Sequence, residues 1–389
     1  MKSLFWGFLI CPVLWGAATR NVGPGQKYKK PCAAIGAAHS GDTILIDAAG
    51  DYDGDVCSIS QDRLTLRGIN GRPHIDAAGR SAAGKGTWVI DGNDVTVDNI
   101  EFSGASAPGG NGAGIRAEGG NITVRNCYFH DNQDGILTAN LKKGEVLIEY
   151  SEFARNGRSN GYTHNIYIGQ QAKFTLRFCY SHDSKGGQLV KTRAAENYIL
   201  YNRLTGESGA SNYELDIPNG GRTYVIGNII QQGPNSTNSN ILAYMLEGKD
   251  KFEQDSHLYV INNTFVNDMG RGTFINIAGD AAPAVVENNI FSGPGEVCTQ
   301  PSATMSHNFV GDPKFVDAAR YDYRVKPDSP VIGAGLLPGS VSGQPLAPDY
   351  EYVHPCCGEQ RTELKKIDIG AFAYPGVPGM PAQCAKVVK

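Results

Sequence analysis

A four-residue frame recurs through the middle of this 389-residue chain and limits what it can fold into. The copies are Asn99-Ile-Glu-Phe102, Asn126-Cys-Tyr-Phe129, Tyr150-Ser-Glu-Phe153, Phe178-Cys-Tyr-Ser181, Tyr201-Asn-Arg-Leu204, Gly227-Asn-Ile-Ile230, Asn262-Asn-Thr-Phe265 and Asn288-Asn-Ile-Phe291. Their starts lie 27, 24, 28, 23, 26, 35 and 26 residues apart. Each follows a short alternating stretch such as Ile122-Thr-Val-Arg125 or Phe174-Thr-Leu-Arg177, which reads as a strand with one buried face. A period in the mid-twenties made of strands, with no helical spacing between them, predicts a parallel β-helix. One coil cannot bury its apolar face alone, so coils stack and cover equivalent positions. A β-propeller is the alternative repeat architecture, but its blades run to about forty residues or more.

The frame predicts its own ladders. Its fourth position (Phe102, Phe129, Phe153, Leu204, Ile230, Phe265, Phe291) becomes an apolar stack. Its second supplies Asn202, Asn228, Asn263 and Asn289 to hydrogen-bond from coil to coil inside a turn. Cys127 and Cys179 share that position and read as buried small hydrophobes. The chain has 49 Gly and 27 Asn, the residues that best tolerate positive φ, as short strands with many turns require. The expected fold class is all-β: a single-stranded right-handed parallel β-helix, a solenoid of about eight to eleven coils, with an N-terminal cap and an irregular C-terminal segment.

The N-terminus reads as an export signal: Lys2, an apolar run from Leu4 to Trp15, then Gly16-Ala17-Ala18. The expected organisation is a signal peptide over 1–18, a β-helix domain over 19–375 and a tail over 376–389, in a secreted protein, extracellular or periplasmic, of a bacterium. Without Cys11, eight cysteines remain, and an exported chain can oxidise them. Cys32 and Cys57 form the expected pair near the N-terminal cap, and Cys356 or Cys357 is expected to pair with Cys384. With 35 basic and 39 acidic residues the net charge is −4, which argues against a nucleic-acid partner. No membrane partner is expected, and the chain is expected to be a monomer.

Further segments carry a resemblance. Gly41-Asp42-Thr-Ile-Leu-Ile-Asp47, Gly50-Asp-Tyr52 and Leu64-Thr-Leu-Arg-Gly68 resemble the entry of secreted right-handed β-helix proteins of the pectate-lyase-like superfamily. Asp312-Pro-Lys-Phe-Val316, Ser329-Pro330 and Asp368-Ile-Gly-Ala371 resemble the C-terminal part of its bacterial members. The resemblance implies the fold over roughly residues 20–375 and leaves the activity open, since this fold hosts lyases, hydrolases, epimerases, esterases and non-catalytic adhesins.

Outward side chains of successive coils line up at the strand spacing, about 4.8 Å. Alternation places Tyr167, then Lys191 and Arg193, then Glu214 and Asp216, then Glu247 on one face, opposite inward Ile166, Ile168, Val190, Thr192, Leu215, Ile217, Tyr244 and Leu246. His164 stands at the edge of that face, and Asn165 and Asn219 flank it as substrate contacts, together with Glu214. An acidic polysaccharide is the expected partner. A uronate polymer is cleaved by β-elimination when a base takes the C5 proton while a positive group neutralises the adjacent carboxylate. The candidate catalytic set is Lys191 as the base, held in its neutral form by Arg193, with Arg193 and Tyr167 to neutralise or protonate and His164 as the alternative base. Asp216 and Glu247, with Glu214, are the expected calcium ligands, because Ca²⁺ prefers carboxylate oxygens. In outline this is similar to chondroitinase B and related alginate lyases, although their residue order along the coils is not reproduced. A C5-epimerase begins with the same proton abstraction. A glycoside hydrolase would use Glu214 or Asp216 with Glu247. A non-catalytic carbohydrate-binding or surface β-helix, with these charges as an ordinary cross-strand ion-pair ladder, is the remaining alternative.

Overall fold

The computed structural model describes residues 16–158, 161–249, 255–362 and 366–375. The chain winds through three parallel sheets, one strand of each per coil, in the order sheet 1, sheet 2, sheet 3. Sheet 1 has twelve strands, from Thr19–Val22 to Thr304–Ser306. Sheet 2 has ten, from His74–Asp76 to Phe309–Val310, and sheet 3 has ten, from Cys57–Ile59 to Glu296–Cys298. One coil runs Ile122–Arg125, Tyr128–His130, Asp134–Thr138. Equivalent residues pair in register, as with Ile122 and Val146, or Phe129 and Phe153. The winding is right-handed, the hand that connections between parallel strands almost always take.

The recurring frame is the bend from sheet 1 into sheet 2. Its first residue is left-handed in every copy: Asn99 (φ 58°), Asn126 (56°), Tyr150 (51°), Phe178 (56°), Tyr201 (56°), Gly227 (67°), Asn262 (53°) and Asn288 (58°). Asn and Gly suit that conformation; for the aromatic copies stacking offsets the strain, Phe178 lying 5.1 Å from Tyr150 and 5.5 Å from Tyr201 between ring centroids. The second position forms the expected ladder: Asn202 Nδ2 donates to Asn228 Oδ1, Asn228 to Asn263, Asn263 to Asn289 and Asn289 to Asn308, each at 3.0 Å. Cys127 and Cys179 are fully buried at this position, as expected. The fourth position is the apolar stack, with centroid spacings of 5.1 Å (Phe102–Phe129), 4.9 Å (Phe129–Phe153) and 5.2 Å (Phe265–Phe291).

The bend from sheet 2 into sheet 3 is built against that stack. A Cβ on Gly114 would lie 2.8 Å from the Phe129 ring, and one on Gly135 would lie 2.3 Å from the Asn165 carbonyl, so glycine is needed at these two bends. In the following coils larger residues fill the bend: Asn165 Nδ2 donates to Ser181 Oγ of the next coil, which donates to the Leu189 carbonyl. Glu214, Ile241 and Phe274 continue this column, all buried.

At the N-terminus, helix Pro31–Gly36 lays Ala34 and Ile35 over the open end of the core, tied by the Cys32–Cys57 disulfide. After Val310 three antiparallel pairs follow, the longest joining Tyr350–Val353 to Cys357–Gln360. They fold back on the solenoid: Asp349 N–H donates to Tyr201 Oη, and Asn262 Nδ2 to the Asp368 carbonyl. Cys357 is disulfide-bonded and Cys356 is a free thiol. Cys384, the expected partner, lies outside the described residues, as do most of the proposed signal peptide and the tail. Among the described residues no helix is long and apolar enough to cross a membrane.

Candidate functional site

Strands Ile166–Ile168, Val190–Thr192 and Leu215–Ile217 of sheet 3 hold the predicted residues. Register stacks Tyr167 on Lys191 and Lys191 on Asp216. Ile166, Ile168, Val190, Thr192, Leu215 and Ile217 are fully buried, so the alternation read from the sequence holds within these strands.

The outward groups converge. Lys191 Nζ lies 3.3 Å from Asp216 Oδ2 and 3.2 Å from Glu247 Oε1, and 5.8 Å from the centroid of the Tyr167 ring. Arg193 donates through Nε to Tyr167 Oη (3.0 Å), through Nη1 to Asn219 Oδ1, and through Nη2 to Glu247 Oε2 (2.6 Å). Asn219 in turn donates to the Gly248 carbonyl at 2.9 Å. Gln188 Nε2 donates to Asp216 Oδ2 at 3.1 Å. Burial pushes the Asp216 carboxyl up despite Lys191 beside it. Glu247, half exposed, is drawn below the usual carboxylate range by Arg193 and Lys191, which outweigh its partial burial.

Four expectations are corrected. Glu214 does not face outward. It stands in the bend before the strand, fully buried, accepting from Ser211 Oγ (2.8 Å) and Ser236 Oγ (3.4 Å), and burial pushes its carboxyl up to about 8. Alternation fails there because the chain turns a corner, so Glu214 and Leu215 both point inward. Asn165 is in the same column; its amide donates to the Phe153 carbonyl, Ser181 Oγ and the His182 carbonyl, leaving it no route to a substrate. His164 is buried beneath the face. Its Nδ1 accepts from the Gln188 backbone N–H (3.2 Å), its ring packs edge-on to Tyr167 at 5.3 Å, and burial, with Lys191 nearby, pushes its pKa down to about 3. A neutral imidazole so weakly basic positions Tyr167 rather than taking a proton. Leu246 is exposed, because the strand ends at Tyr244 and the chain leaves the sheet.

The carboxylates also fail the test for calcium. A calcium site needs several oxygens turned toward one point. Here Asp216 and Glu247 turn toward the ammonium of Lys191, the second Glu247 oxygen is held by Arg193, and Glu214 lies inside the solenoid. A protein cation stands where the ion would have to sit.

One residue went unread. Asp134 opens strand Asp134–Thr138 one coil before His164 and accepts the His164 backbone N–H at 2.7 Å. Burial pushes its carboxyl up to about 7. It lines a hollow of about 380 Å³ with Arg116, Leu137, Asn140, Tyr162 and Tyr167, which continues the groove from Tyr167 toward the N-terminal coils. Aligning the coils places Asp134, His164 and Gln188 at one position, a polar column visible in the sequence once the sheet 3 register is known. A larger cavity lies elsewhere: about 740 Å³ in the seam between sheet 2 and the C-terminal segment, lined among others by Arg203, Tyr321, Tyr323, Tyr352 and His354. That seam joins two parts of the fold, whereas the sheet 3 groove runs open across successive coils.

Residues 74–230 match the family described as "Right handed beta helix region". No curated protein matches the sequence. Among solved structures the chain is similar to "Crystal structure of pectate lyase Pel9A", with a TM-score of 0.59 and 15% identity over 93% of this chain and 97% of that one. It also matches "Geobacillus virus E2 - ORF18" (TM-score 0.42, 16% identity, 72% of this chain and 57% of that chain). A third match is "Crystal structure of pectin methylesterase in complex with hexasaccharide VII" (TM-score 0.36, 13% identity, 81% and 93%). The first of these shows the fold: the chain is a right-handed parallel β-helix.

Proposed function

We propose that this chain is an exported, polysaccharide-active β-helix enzyme that binds a uronate polymer along sheet 3 and cleaves it by β-elimination. The observation that supports this most is the Glu247 carboxylate, half exposed and bridging Lys191 and Arg193. It has the chemistry of a uronate carboxylate and rests on the pair of cations that such a substrate needs. On binding, the substrate carboxylate takes the place of Glu247 on Arg193, and neutralising it acidifies the neighbouring C5–H. Lys191, held between Asp216 and Glu247, acts as the base in its free-amine form and abstracts the C5 proton. The electron pair of that bond forms C4=C5, and the C4–O bond breaks. Tyr167, whose oxygen accepts from Arg193 Nε, gives its own proton to the leaving oxygen, and the resulting phenolate is stabilised by the guanidinium. No step passes through calcium.

A hydrolase on the same site is the second reading, favoured by one observation. Asp216 is pushed up and Glu247 is pulled down, the split that divides an acid from a nucleophile or base. Both reach Lys191 Nζ, so the two contacting oxygens lie no more than about 6.5 Å apart, a bound that admits the roughly 5–5.5 Å of a retaining pair.

The test is a scan of alginate, pectate, glycosaminoglycans and polyglucuronate, following the ultraviolet absorbance of unsaturated uronate and, separately, reducing ends, with and without a chelator. We expect unsaturated product that survives the chelator and is lost in Lys191→Ala and Arg193→Ala. Reducing ends without absorbance would transfer the assignment to the hydrolase. Full activity in Lys191→Ala would remove it as the base.

A further inference from the structure

Sheet 2 carries a second cluster of reactive side chains, on a different sheet from the groove. His74 opens strand His74–Asp76, Glu101 opens Glu101–Ser103 in register with it, and His130 ends Tyr128–His130 on the next coil. His130 Nε2 lies 3.0 Å and His74 Nε2 3.9 Å from Glu101 Oε1, and the three donor atoms all lie within 4.8 Å of one another. Three donors on a tetrahedral ion, with metal–ligand bonds near 2.0–2.1 Å, sit about 3.3 Å apart, so small side-chain rotations would bring all three to one point.

The surroundings are those of a metal-binding imidazole. His130 Nδ1 is bonded to Asp131 Oδ2 at 2.9 Å, which turns Nε2 toward Glu101 and raises its basicity. Tyr128 stacks on the same ring at 4.4 Å and holds its plane. Asp131 is itself fixed by Arg155 and Lys185. His74 and Glu101 are partly exposed, so an ion can enter and a fourth position stays open to water. Ser103 Oγ is hydrogen-bonded to His74 Nε2 at 2.7 Å, a bond the ion would replace.

A second histidine on sheet 2 shows what the first cluster has in addition. His182 is also clamped, between Glu152 (3.2 Å) and Asp183 (2.7 Å), and stacked on Tyr180 at 3.9 Å. Among the described residues no second imidazole is grouped with its donor atoms. Its third acidic neighbour, Glu207, already accepts from Tyr180 Oη (2.6 Å), Thr205 Oγ1 (2.8 Å) and Arg203 (2.9 Å). That set has one imidazole among carboxylates already engaged, whereas the first brings two imidazoles and a carboxylate together, with His74 and Glu101 partly exposed.

We propose that His74, Glu101 and His130 form a binding site for one divalent transition-metal ion of the zinc class, held on the outer face of sheet 2 with one coordination position open. Two imidazoles and a carboxylate suit such ions and not calcium or magnesium, which require more oxygens. The site is independent of the polymer groove and makes no demand on the reaction assigned there.

The experiment is calorimetric titration of the folded, metal-stripped chain with Zn²⁺, supported by Co²⁺ absorption spectra. The variants are His74→Ala, Glu101→Gln, His130→Ala and, as a control, His182→Ala, each checked by far-ultraviolet circular dichroism. We expect one equivalent bound by the wild type and by His182→Ala, with Co²⁺ bands of tetrahedral intensity. In the first three variants binding should weaken by more than the roughly 10- to 100-fold that loss of an outer partner costs. Asp131→Asn, which removes only such an outer partner, should fall within that range. Should an alanine variant fail to fold, Glu101→Gln decides, since it keeps the side-chain shape. The proposal is overturned if the wild type binds no stoichiometric zinc, if the ligand variants bind as the wild type does, or if His182→Ala loses the ion equally.

Discussion

Asn228 offers the sharpest test of how the solenoid is held together. Its Oδ1 accepts the backbone N–H (2.9 Å) and the side-chain amide (3.0 Å) of Asn202; its Nδ2 donates to the carbonyls of Ile199 (2.8 Å) and Ile226 (3.2 Å) and to Asn263 Oδ1 (3.0 Å). Asn228→Ala removes all five bonds in a fully buried turn and leaves the Asn202 N–H with no partner. A buried hydrogen bond contributes about 1 kcal/mol net, and a stranded buried group adds about 1–3 kcal/mol, so the expected loss is about 6–8 kcal/mol. The control is Ser151→Ala, at the same frame position three coils earlier. Ser151 makes two bonds there, accepting the Cys127 N–H (3.1 Å) and donating to the Glu149 carbonyl (2.9 Å), so its loss, with the Cys127 N–H stranded, should be about 3–5 kcal/mol. Urea unfolding followed by circular dichroism measures both. Because each coil contacts only its neighbours, hydrogen exchange in Asn228→Ala should also quicken first in the coils on either side. A loss below about 1 kcal/mol for Asn228→Ala, or one no larger than that of Ser151→Ala, would refute the ladder as a source of stability.

Three further outcomes follow from the same geometry. Replacing Cys32 and Cys57 by Ser reopens a loop between residues 25 apart, and should cost about 3.5 kcal/mol in urea unfolding under oxidising conditions, with no change under reducing ones. Glu214, ordinarily 4.5 and pushed up to about 8 by burial, binds its proton more tightly in the folded state. Its contribution is therefore complete below about 4.5 and is lost as pH rises toward 8, so Glu214→Gln should flatten the fall in Tm across that window and leave activity intact. Glu247→Gln separates the two readings of the site: under elimination it frees the cations and lowers KM with kcat kept, and under hydrolysis it abolishes turnover.

The frame was legible because it joins three demands in four residues: a left-handed corner, a buried amide and a core side chain. Each restricts residue type strongly, so Asn262-Asn263-Thr264-Phe265 shows its structure on inspection. Strand alternation was equally legible for Tyr167, Lys191 and Asp216, which are central in their strands of sheet 3, and for Arg193, just past one. It failed one residue outside the strands, at Asn165 and Glu214, where the bend turns two successive side chains inward, and again at Leu246, where the sheet had ended. Polarity misled in the same places: a carboxylic acid at Glu214 and an amide at Asn165 looked like surface chemistry and are core hydrogen-bonding groups. Asp134 and the His74–Glu101–His130 cluster were hidden because their partners come from other coils, and the lengths of the intervening loops set that register.

The claim that a uronate polymer lies along sheet 3 is tested most directly by a diffraction structure of Lys191→Ala soaked with an oligouronate. The account predicts a sugar carboxylate on the Arg193 guanidinium, with Glu247 displaced from it and the chain running over Tyr167 toward Arg116. An oligosaccharide seated instead in the seam beside Arg203 and Tyr321, with Glu247 still on Arg193, would contradict it.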